Sequence, residues 1–189
     1  MKKILFLFFV YPSLTFSQES PTDFLKNLCN HEIEGISNLD NIKINISIPC
    51  TWEKRKEGNY GYRSDVFLLS IGNIIKVLKF DKGFSIEEKS ELTIKQLLNI
   101  GKAEKKKLSA KKVILNGDSA MEYVIKKSEN VTNYFLNGYN IYYFIKLNDK
   151  LIISDYQVSS VNEKMLNKEQ DEYFKMFRQL ASKLSVSKK

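Results

Sequence analysis

Two apolar stretches, residues 139–147 (YNIYYFIKL) and 151–158 (LIISDYQV), are separated only by Asn148-Asp149-Lys150. Their β-branched and aromatic content suits strands, and so short a connection joins strands only as an antiparallel hairpin. A parallel pair would need a crossover of about a dozen residues. The later half of the chain is therefore not a doubly wound parallel sheet.

Elsewhere the pattern changes period several times. Ile42, Ile44, Ile46 and Ile48 alternate with polar residues until Pro49, which is the signature of a half-buried strand. Residues 53–65 read as a charged, glycine-containing loop. Apolar runs over 66–71 and 74–80 flank Gly72-Asn73, a two-residue hairpin signal. Ser85 with Glu88 forms a capping box, and Ile86, Ile94, Leu97, Leu98 and Gly101 follow at helical spacing. This predicts a helix over 85–107, with Lys102, Lys105, Lys106 and Lys107 at its negative end. Strand chemistry returns at 113–115 and 120–125 around Asn116-Gly117. Residues 128–138 form either a long hairpin loop or an extra short strand pair. A last helix over 168–185 places Tyr173, Phe174, Phe177, Leu180, Ala181 and Leu184 on one face. The sum is an α+β domain, an antiparallel sheet of about six strands with helices packed on it. The single domain is expected over 42–187, preceded by an extension at 18–41 with one or two helical turns.

Residues 1–17 (MKKILFLFFVYPSLTFS) combine Lys2 and Lys3, an apolar run from Ile4 to Val10, a break at Pro12, and small Thr15 and Ser17 ahead of Gln18. This is a secretory-signal pattern, and the run is far shorter than the roughly 20 residues of a membrane span. The expectation is an exported chain, periplasmic or extracellular after cleavage near Ser17/Gln18, with no transmembrane span. Losing two lysines takes the net charge from +8 to +6. That charge favours acidic partners or an anionic surface, while export removes nucleic acid as an expected partner.

In an oxidising compartment the two cysteines most simply form a disulfide, Cys29–Cys50. It would close a loop of about 20 residues and stabilise the fold by about 3 kcal/mol. Two other readings use the same residues: free or intermolecular thiols, or Cys29, His31 and Cys50 as metal ligands or a Cys/His nucleophile pair. The spacing Cys-Asn-His matches no common zinc motif.

Several residues carry a resemblance to the PsbP-like superfamily, which includes Mog-type Ran-binding proteins and DcrB-like bacterial envelope proteins. The alternating strand ends in Pro49, two residues and Trp52. A polar-capped helix matches FSIEEKSELTIKQLL, and a strand opens at Gly117-Asp118-Ser119-Ala120. YNIYYFIKL and the final EQDEYFKMFRQLASKLSV complete the order over 42–186. The resemblance implies a PsbP-like α/β/α sandwich and a non-enzymatic binding or assembly protein that presents a sheet edge or loop to a partner.

The residues agree with a non-enzymatic reading. The single histidine, His31, has no Gly-x-Ser-x-Gly elbow to serve, and there is no phosphate-binding glycine loop. Glu32, Glu34, Asp81, Glu87, Glu88 and Glu122 read as solvated charges rather than a glycosidase pair. No catalytic residue, metal or cofactor is expected. The expected role is binding another envelope or secreted protein, with a small-ligand or lipid-headgroup carrier as the alternative. The expected contact surface is Lys102, Lys105, Lys106, Tyr134 and Tyr139, with Trp52 a core anchor.

Overall fold

The fold comes from a computed structural model, which describes residues 20–33, 42–56, 58–64, 67–72, 78–80, 83–131 and 134–188. The 1–17 segment lies outside the described residues. Ser20 and Asp23 cap one helical turn, α1 (Pro21–Phe24), with Pro21 at its first position. Strand β1 (Leu28–Ile33) then pairs antiparallel with β2 (Ile42–Pro49). The stretch read as an extension thus supplies a helix turn and a strand. The pairing gives β1's backbone partners that its own sequence, with only Leu28 and Ile33 as aliphatics, does not advertise.

A charged hairpin follows, β3 (Glu53–Lys56) and β4 (Asn59–Arg63), where a loop was expected. Next come β5 (Phe67–Gly72) and β6 (Leu78–Lys79), helix α2 (Ile86–Asn99), and the strands β7 (Glu104–Leu115), β8 (Asp118–Val131), β9 (Tyr134–Leu147) and β10 (Lys150–Ser160). Helix α3 (Glu163–Ala181) and β11 (Ser185–Lys188) close the chain. One antiparallel sheet has the order β3-β4-β5-β10-β9-β8-β7, and β6 also pairs with β10. A second, smaller sheet has the order β1-β2-β11.

Four expectations change. β5 and β6 do not face each other as a hairpin. They lie end to end along β10, with Asp155 opposite Gly72 and Leu151 opposite Leu78. Helix α2 stops at Asn99, because Gly101 (φ +85°) reverses the chain and residues 104–107 are taken into β7 by pairing with β8. Residues 128–138 extend both strands of the β8–β9 hairpin on either side of residues 132–133. The final helix begins at Glu163, five residues before the expected start at 168, and is capped by Asn162, whose side chain accepts from Met165 N.

The large sheet separates two cores. On one face α3 buries Leu166, Tyr173, Met176, Phe177, Leu180 and Ala181 against Ala120, Val124, Ile141, Tyr143, Ile152 and Tyr156, and the isoleucines of β2 join this cluster. On the other face α2 lays Ile94 over Met121, Tyr123, Ile125, Phe144 and Ile153.

Candidate functional site

Cys29 and Cys50 are joined in a disulfide, so neither supplies a thiolate nucleophile or metal ligand. His31 lies on β1 with its ring 4.7 Å from that of Tyr60. Among the described residues no three of His, Cys, Asp and Glu converge as a metal site. Pro49 and Trp52 form a tight corner in which Trp52 N donates to Pro49 O at 3.0 Å. The Trp52 ring is buried, edge-on to Phe24 at 5.7 Å.

Glu122, read as a solvated charge, is buried on the α3 face. Arg178 donates to it from Nη2 at 2.9 Å, the Tyr143 hydroxyl donates at 2.7 Å, and Lys111 lies 3.3 Å away. Burial alone would raise its carboxyl, but Arg178, Tyr143 and Lys111 outweigh burial and hold it below the usual range. Every partner belongs to the protein itself, so this network holds α3 on the sheet.

The α2 face is different. Beyond the C-terminal end of α2, two cross-strand rows run over six strands: Arg63, Leu68, Ser159, Gly138, Lys127, Lys105, and beside it Gly61, Ser70, Gln157, Asn140, Ile125, Lys107. Apart from Leu68 and Ile125, small, polar and charged side chains take the place of the apolar ones under the helix, and two open hollows border them. The first, about 290 Å³, is lined by Arg55, Arg63, Leu68, Tyr134, Leu136, Ser159 and Val161 among others. The Arg55 guanidinium lies over Gly61, where a Cβ would come within 2.8 Å of its Nε. Neither arginine has an ion-pair partner among the described residues.

The second hollow, about 260 Å³, is lined by residues 100–103 after α2 and by Lys105, Ile125, Lys127, Glu129, Asn140, Tyr142, Asp155 and Gln157. Asn140 Nδ2 donates to both oxygens of Asp155, at 2.8 and 3.0 Å. Burial pushes the Asp155 carboxyl up to about 7, against the opposing effects of Asn140 and Lys127. Burial likewise pushes the Lys127 ammonium below its ordinary value, while Asp155 and Glu129 oppose the shift. Gly138 makes room for that lysine, since a Cβ there would stand 3.0 Å from Lys127 Cε and 2.6 Å from Ser159 Oγ.

The expected contact residues separate. Tyr134, half exposed, borders the first hollow. Lys102 and Lys105 border the second, but Lys105 Nζ donates to Leu97 O (2.8 Å) and Ile100 O (2.5 Å). It thus caps α2 from the neighbouring strand. Lys106 borders a third hollow with Lys126 and Glu163. Tyr139 is not on the surface. Its ring is buried edge-on to Phe174, and its hydroxyl donates to Asn167 at 2.8 Å, because its strand parity points it at α3. The lysine run is a strand whose α2-facing members are paired, Lys107 with Glu91 and Lys112 with Glu87. Sequence reasoning missed Asn140, Asp155 and Lys127. The available signal was a polar residue inside each of two runs apolar enough to be buried on both faces.

No family model matches the chain, and no curated protein matches it. Solved structures do. The solution structure of cyanobacterial PsbP (CyanoP) from Synechocystis aligns with a TM-score of 0.51 at 13% identity, over 85% of this chain and 92% of that one. LpqN, involved in cell envelope biogenesis of Mycobacterium tuberculosis, aligns at 0.47 and 10% identity over 90% and 99%. The Saccharomyces cerevisiae Ran-binding protein Mog1p aligns at 0.46 and 12% identity over 84% and 96%. With the two-core sheet and the Pro49–Trp52 corner in place, the match to CyanoP speaks for the architecture: the chain has the PsbP-like α+β fold.

Proposed function

We propose that this is an exported, non-enzymatic protein that acts by binding another envelope or secreted protein through the rim of the first hollow. One observation carries the reading. Tyr134 and Val161 are 50% and 53% exposed at the rim of the first hollow, beside Arg55 and Arg63, which have no ion-pair partner among the described residues. Aromatic and arginine side chains together are what anchors protein interfaces. The secretory pattern of residues 1–17 and the disulfide support export.

The test is a cross-linked pull-down of the tagged chain from the envelope and culture fluid, read by mass spectrometry. The reading expects one stoichiometric partner that is lost with Arg55→Ala/Arg63→Ala/Tyr134→Ala and kept with Ile114→Ser, a substitution at a distant exposed apolar residue. A partner indifferent to the triple variant, or no partner, overturns it.

A second reading, a small-ligand or headgroup carrier, draws on the second hollow. Ile94, Tyr123 and Phe144 fill the space between α2 and the sheet. Any ligand would therefore sit past the helix end, where Lys127 and Asp155 share a cavity.

A further inference from the structure

The second hollow holds a buried carboxyl, Asp155, and a half-buried ammonium, Lys127, that are not joined in an ion pair. Lys127 makes no hydrogen bond and no ion pair among the described residues. Asp155 is 8% exposed, and its only described hydrogen-bond donor is the neutral amide of Asn140. Both side chains line the same 260 Å³ cavity, yet they do not close to ion-pair distance on each other. An uncompensated buried charge is costly, and a cavity between two opposite ones has a defined complement. A simple anion would satisfy Lys127 and be repelled by Asp155. A simple cation would do the reverse.

We propose that this cavity binds a small zwitterion, its anionic group on the Lys127 ammonium and its own ammonium on the Asp155 carboxylate. Asn140 holds the carboxylate in place, and Gly138 keeps the path of the lysine stem open. Other charged groups border the cavity: Glu129 on β8, Lys105 on β7 and Lys102 after α2, while β9 contributes the Tyr142 phenol. Lys105 is committed to the helix carbonyls, which leaves Lys102 as a second cation for the several oxygens of a phosphate group. The same chemistry is offered by free phosphoethanolamine and by the phosphatidylethanolamine headgroup. The site shares no lining residue with the first hollow, so its failure leaves the protein-docking reading standing, and the converse holds.

The experiment titrates the purified chain with phosphoethanolamine, and in parallel with inorganic phosphate and with methylammonium, by calorimetry. Saturable binding of phosphoethanolamine alone is expected, weakened about tenfold or more by Lys127→Met and by Asp155→Asn, the usual loss for a charge-assisted hydrogen bond. Co-sedimentation with phosphatidylethanolamine vesicles, against phosphatidylcholine vesicles, separates the sources. Binding to vesicles without the free headgroup assigns a lipid, and the reverse assigns a soluble ligand. In the unsubstituted protein the Asp155 carboxyl resonance should titrate at lower pH once the zwitterion is bound, a readout that needs no variant to fold. Phosphate binding as tightly as phosphoethanolamine, an Asp155 titration that does not move, or no binding to any probe overturns the proposal.

Discussion

Asp155 and Glu122 are both buried carboxylates of the large sheet, and they titrate in opposite directions because their neighbours differ. Glu122 has Arg178, Lys111 and the Tyr143 hydroxyl, whereas Asp155 has one amide and a lysine out of reach. With the native Asp155 near 7 and an ordinary value of 3.8, the folded chain keeps a proton that the unfolded chain has released across that interval. Its contribution to stability is therefore greatest below about pH 4 and declines as pH rises to about 7. Urea melts at pH 5 and pH 8 should show this decline, and Asp155→Asn should flatten it while keeping an acceptor for Asn140. Glu122 acts the other way: its folded pKa is depressed, so its contribution is present above the ordinary carboxyl range and fades as acid is added. Arg178→Met should cost about 2 kcal/mol at neutral pH, less than the ~3–5 of a fully buried pair, because Arg178 is 42% exposed and Lys111 remains. Loss of under 0.5 kcal/mol in the same melts would mean that Arg178 does not hold the network.

At the scale of elements, the readable ones carried their own signals. The Ser85–Glu88 capping box starts α2 where the sequence places it, and the Ile42–Ile48 alternation and Asn116-Gly117 turn are realised with both turn residues at positive φ. Elements without such signals, β1, β3, β4 and the 104–112 part of β7, exist because a neighbour pairs with them. β7 shows the mechanism: EKKKLSAKK would make a passable helix, but the β8 backbone and the acids of α2 draw it into a strand. β1 is further tied by the disulfide to the end of β2, where Cys50 N also donates to Asn27 O at 3.0 Å. Reduction should lower stability by about 3 kcal/mol, seen as a lower urea midpoint in reductant, with β1 amides exchanging first. An unchanged midpoint would show that the pairing with β2 suffices without the covalent tie.

For the whole molecule, the first and last strands among the described residues flank β2 in the small sheet. β11 pairs with β2 on the side opposite β1, and Val186 and Leu184 join the core beneath Ile44. Truncation after Leu184 should cost about 2 kcal/mol, from the burial of Val186 and the lost ladder, and leave the β2 edge open to association. Thermal melts and light scattering would register both. By itself the sequence determined the antiparallel α+β class, the disulfide pairing and the existence of the two main helices. These rest on local spacing, capping and composition, which a linear chain carries without knowing its neighbours. Only the tertiary structure decided which faces were left uncovered. α2 is shorter than its lysine tail suggested, so the polar rows past its end form hollows. Strand parity turned Tyr139 inward and brought Lys127, Asn140 and Asp155 from three strands to one place. Such a site is a property of register, and register is set by pairing partners far apart in the chain.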